Sequence, residues 1–175
     1  MINKIKNLFK PSISENKLLK ELQEIILDFQ ENCLSRFENS LNSKKRIQKA
    51  CFELIFLFAA AQKILLIEKF NDDNIINDYD SHIYKKTKHK SFYLNRTNKY
   101  INLYLDNDDK SFKKKIPILF IQFLNGENKG LDGNIVTSDF QKDLPFLNNV
   151  YYWWNKIFSK TSRYLKNKNL KNIET

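Results

Sequence analysis

The stretch Cys51–Ile67, CFELIFLFAAAQKILLI, decides the fold. Only Glu53, Gln62 and Lys63 interrupt the apolar run, and from Leu54 to Ala61 apolar side chains fall on every face of a helix, so burial on all sides is required. This makes it the central helix of a helical core. A membrane span needs roughly 18 uncharged residues, whereas Glu53, Gln62, Lys63 and the basic approach Lys44, Lys45, Arg46, Lys49 leave eight consecutive apolar positions. A charge near the bilayer centre costs roughly 3 kcal/mol on the insertion scale. A buried helix is therefore expected, with no integral membrane segment.

Upstream, Leu18, Leu22, Ile25, Ile26, Phe29, Cys33, Phe37 and Leu41 recur at spacings of three and four among polar residues, which predicts a long amphipathic helix with Ser14 at its N-cap. Asn42 and Ser43 interrupt it, and the pattern resumes toward Phe70. Residues 14–41 and 44–70 are thus expected to form an antiparallel helical hairpin. With the turn near residue 42, Cys33 and Cys51 lie level, as a disulfide, half of a metal site or two buried thiols; cysteine is among the most buried residue types, which favours thiols. The amphipathic start, Ile2 to Lys10, is closed by Pro11 and reads as an arm that docks loosely on the domain.

Downstream, Asn71–Asp80 (NDDNIINDYD) reads as an acidic loop. Asp78, Asp80 and His82 are the densest candidate metal ligands, yet they match no known motif, and neither a metal nor any cofactor is expected. From Ser81 to Leu105 there is no acid. Lys85, Lys86, Lys88, Lys90, Arg96 and Lys99 are interleaved with Tyr84, Phe92, Tyr93, Tyr100 and Tyr104, and cations beside stacking rings are the ingredients of single-strand or RNA recognition. The same cations suit a docking face for an acidic protein.

Alternation at Ile101–Leu105 and the apolar run around Pro117 leave a small β element open around 92–123, although the neighbours favour helix. Ser111 is a candidate cap there. Gly126, Gly130 and Gly133 lie in a long irregular loop whose spacing fits no phosphate-binding fingerprint. Asp143 and Pro145 look like the start of a last helix carrying Phe146, Leu147, Val150, Tyr151, Trp154, Ile157 and Phe158. Because Tyr151, Tyr152, Trp153 and Trp154 are consecutive, they point to different faces, so at least one ring should lie near solvent, while a tryptophan anchoring the last helix to the core is the favoured reading of this cluster.

Charge and composition bound the function class. Thirty Lys and Arg against 20 Asp and Glu give a net charge of +10, while three glycines, three prolines and abundant Asn, Ile and Lys also fit an AT-rich coding bias. Two cysteines and the lack of a secretory pattern at the start place the chain in a reducing, cytoplasmic setting. The expectation is an all-α, single-domain helical bundle: an arm over 1–12, a helical domain over 13–168 and a tail over 169–175. Without a catalytic constellation, the expected role is a non-enzymatic protein-binding domain, of the immunity or inhibitor type, that meets an acidic protein partner through a basic, aromatic-rich face. Candidate contact residues are Lys85, Lys86, Lys88, Lys90, Tyr93, Arg96, Lys99, Tyr100, Trp153 and Trp154. Nucleic-acid binding is the second reading, and a metal-dependent hydrolase built on Asp78, Asp80 and His82 the third.

Overall fold

The computed structural model describes residues 12–35, 44–85, 90–124, 148–166 and 168–170. Among them are six helices: α1 (Glu15–Ser35), α2 (Lys44–Phe70), α3 (Asp73–Tyr84), α4 (Lys90–Leu105), α5 (Asp109–Leu124) and α6 (Val150–Lys166). The protein is an all-α helical bundle with α2 at its centre. From Glu53 to Leu66 every residue of α2 is buried, and α1, α3, α4, α5 and α6 all pack against it. Ile47–Phe70 has the length and composition to cross a membrane; its most apolar 18 residues have a mean hydropathy of 2.0, and 83% of that 18-residue window is buried inside the fold.

The hairpin forms in the expected register. Phe29 of α1 meets Phe58 of α2 edge to face at 5.5 Å. Gln30 Nε2 donates to the Cys51 carbonyl at 2.7 Å, and Gln62 Nε2 to the Leu22 carbonyl at 3.0 Å. Cys33 is buried, Cys51 is half-buried, and both remain thiols.

Of Asn71–Asp80, everything from Asp73 on is helical rather than looped. The reversal after α2 takes only Asn71 and Asp72: Asn71 adopts φ 48, its N–H donates to the Ile67 carbonyl at 3.0 Å, and the Asp72 side chain accepts from Asn74 N to cap α3. Ile75, Tyr79 and Ile83 then recur every four residues and bury one stripe, which the surrounding acids obscure in the sequence. Segment 92–123 is helical too, apart from the turn at Asp106–Asp108, and no β element forms there. Alternation at Ile101–Leu105 loses to the i, i+3, i+4, i+7 stripe Tyr93, Arg96, Thr97, Tyr100, which faces the core. The cap of α5 is Asp108, which accepts from Ser111 N at 2.7 Å, so Ser111 receives the cap it was expected to supply. Helix α5 continues through Pro117, and the lost bond to the Lys113 carbonyl is offset by burial of Ile116, Leu119, Phe120, Ile121, Phe123 and Leu124.

Helix α6 runs opposite to α1, with Lys160 on Asp28 and Tyr164 on Glu21. Beyond it, Asn169–Leu170 pairs in parallel with Ser12–Ile13, so the two ends of the domain meet. The arm before residue 12, the glycine-containing segment, Asp143, Pro145 and the last five residues lie outside the described residues.

Candidate functional site

Of the three polar interruptions in the buried run of α2, Glu53 and Gln62 each accept from a tyrosine, and Lys63 pairs with an aspartate that does. Tyr100 on α4 donates to Glu53 Oε1 at 2.8 Å. Tyr79 on α3 donates to Gln62 Oε1 at 2.8 Å, while Gln62 Nε2 also reaches Thr161 Oγ1 on α6 at 3.3 Å. Lys63 pairs with Asp80 at 2.6 Å, and the second oxygen of Asp80 accepts from Tyr93 at 2.9 Å. Buried polar groups are costly unless bonded, so these bonds fix the register of four helices, α1, α3, α4 and α6, against α2. Burial pushes all three of these phenols well up from their ordinary values.

Glu53 lies nine residues before Gln62 in the same buried run of α2. Burial pushes its carboxyl up to about 7, against the opposing pull of the Arg96 guanidinium and the Tyr100 hydroxyl. Arg96 is itself only 3% exposed. Its guanidinium lies 3.6 Å over the Phe123 ring and 4.9 Å from that of Phe92, while Nε and Nη1 have no hydrogen-bond partner among the described residues. Aromatic faces thus replace water around this cation. Lys99 stands 5.5 Å over the same Phe123 ring, and Lys49 donates to the Leu124 carbonyl at 3.2 Å. Three cations converge on the C-terminal end of α5, where the helix dipole is negative. Of the cations of α4, Arg96 is thus turned into the molecule.

This arrangement corrects the expected basic, aromatic face. Tyr93, Tyr100, Arg96, Trp153 and Trp154 are all buried. The tyrosines are turned inward by the polar interruptions of α2, and Trp154 by a ring cluster with Tyr104, Phe112 and Phe158. None of these five offers a surface for base stacking or partner contact. Lys85 and Lys90 are exposed and Lys99 half-buried; Lys86 and Lys88 lie outside the described residues.

Two surfaces take the place of that face. On the first, Phe52 (45% exposed) and Phe92 (47%) flank the buried Phe56: Phe52 is one turn before it on α2, and Phe92 packs against it edge to face at 5.7 Å. Lys49 lies three residues before Phe52 and Lys99 two turns after Phe92, whereas Lys90, two residues before Phe92, points to another side of α4 and lies over the Tyr84 ring. The signal for Phe52 was in the sequence, since it is the large ring just ahead of the run that α2 buries on every side.

The second surface is the outward ridge of α6, where Tyr152, Lys156, Arg163 and Lys166 share one exposed face. The ring expected near solvent is Tyr152, 48% exposed, with Lys156 5.1 Å over it. Beside the ridge, Lys113 of α5 lies over Tyr151, which donates to Asp109 at 2.6 Å.

Asp78, Asp80 and His82 do not converge. Asp80 is turned inward to Lys63, Asp78 is exposed beside Glu15, and His82 is half-buried. Among the described residues, no group of His, Cys, Asp and Glu is placed to hold a metal. Compared with known proteins, the chain matches no family model, no curated protein and no solved structure.

Proposed function

We propose that the chain is a non-enzymatic protein-binding domain that docks an acidic protein, in the manner of a small immunity or inhibitor protein, on the face carrying Phe52 and Phe92. The observation that carries this reading is the pair of half-exposed phenylalanines on either side of Phe56, with Lys49 one turn before Phe52 and Lys99 two turns after Phe92. Exposed rings clustered on one face mark interfaces, because they bury large area at little entropic cost and form the centre of a contact that a polar rim then seals. The net charge of +10 selects an acidic partner and speeds its approach.

The test is recovery of partners by the tagged protein from lysate of its own host, with and without nuclease. A stoichiometric acidic protein that survives nuclease is expected. It should be lost from a Phe52→Ser/Phe92→Ser variant whose helical circular dichroism is unchanged, and weakened by Lys49→Glu. Recovery dominated by nuclease-sensitive nucleic acid, or a partner retained by the double variant, overturns the reading.

A further inference from the structure

The face proposed above leaves the ridge of α6 unused. The ridge has two unlike ends. At one stands the exposed ring of Tyr152 with Lys156 over it. At the other, a groove of about 270 Å³ opens between the ends of α2 and α6, lined by Leu65, Glu68, Lys69, Ser162, Leu165 and Lys166. The two sets of lining residues repeat at i, i+3 and i+4, so they are the facing seams of the two helices, with leucines at the floor and a lysine on each lip. Arg163 and Lys166 belong to the exposed ridge, and no described carboxylate forms an ion pair with Lys156, Arg163 or Lys166. From Tyr152 to Lys166 the ridge extends about 21 Å at 1.5 Å per residue.

We infer that the α6 ridge and its groove form a second binding surface, which takes an acidic amphipathic helix lying along α6 with one apolar side chain seated between Leu65 and Leu165. Carboxylates spaced along such a helix meet Lys156, Arg163 and Lys166, and its apolar residue fills the groove, as in helix-in-groove recognition. Charge and lining select this occupant. A second copy of the chain would bring a matching positive ridge and be repelled. A nucleic-acid backbone has no apolar side chain to seat on the leucine floor. A peptide satisfies both features, since its leucine covers the floor and its charges reach the lysines.

The probe is a fluorescein-labelled helical peptide of about fourteen residues, the length the ridge spans, with glutamates along one face and a single leucine near one end. It is compared with the same peptide carrying alanine for leucine and with a labelled DNA duplex, by anisotropy on the full chain. The leucine peptide is expected to bind, and alanine to weaken it about tenfold, as loss of one buried leucine does. Lys156→Glu with Arg163→Glu should weaken both peptides about tenfold. Ser162→Trp, which fills the groove from an exposed position, should abolish the difference between the peptides while leaving the residual affinity. No binding, equal binding of the two peptides by the native chain, or tighter binding of the duplex than of the leucine peptide overturns the inference. Phe52→Ser/Phe92→Ser should leave the peptide affinity unchanged, and a loss there would place the peptide on the other face and equally overturn it.

Discussion

The Tyr100 hydroxyl donates a 2.8 Å hydrogen bond to Glu53 Oε1 across 47 residues of sequence, joining α4 to the central helix inside the core. That bond holds a carboxyl where water does not reach, and its consequence is a dependence of stability on pH. The folded state keeps the Glu53 proton up to about 7, well above the ordinary value of 4.5, so it binds more protons than the unfolded chain between these limits. The contribution of Glu53 is most favourable below pH 4.5 and declines as pH rises through 7, by roughly 3 kcal/mol in all. Urea unfolding at pH 5, 6, 7 and 8 should show this fall. Glu53→Gln keeps an acceptor for Tyr100, flattens the profile and exceeds the native chain above pH 7; a native profile that rises over this window would refute the assignment.

The Lys63–Asp80 pair should behave as a unit. Either Lys63→Met or Asp80→Asn alone strands a buried partner and is expected to cost roughly 3–5 kcal/mol. The double variant should cost less than the sum, because no unpaired charge remains. Additive losses in denaturant unfolding would show that the two do not interact.

Trp154 and Tyr152, two residues apart, should respond in opposite ways. Trp154→Ala empties a ring cluster and is expected to cost roughly 3–5 kcal/mol, whereas Tyr152→Ala, on the exposed ridge, stays within about 0.5 kcal/mol. Thermal unfolding by circular dichroism separates the two outcomes.

Pro117 sits eight residues into α5 without ending it. Pro117→Ala returns an N–H to the Lys113 carbonyl and should stabilise the fold by roughly 1–3 kcal/mol. An unchanged or lower unfolding temperature would mean that the proline ring supplies packing worth more than the bond.

The α1–α2 hairpin was legible because its apolar period is long and unbroken, and the central place of α2 because no stripe of it can face water. Helix α3 was not, since acids at Asp72, Asp73, Asp78 and Asp80 mask a stripe of only Ile75, Tyr79 and Ile83. The candidate site was legible only in its ingredients. Its cations and rings stand in the chain in the order described, but Phe92 faces outward while its neighbour Tyr93 faces the core, a difference of one position that composition does not carry.

By itself the sequence determined the fold class, the central helix, the hairpin register and the excess of positive charge, all properties of local spacing and composition. The tertiary structure decided which rings reach solvent. Tyr79, Tyr93 and Tyr100 are drawn inward because Gln62, Asp80 and Glu53 are buried and need donors. That need arises only once α3 and α4 pack on α2, because a buried acceptor left unpaired costs more than an exposed ring gains.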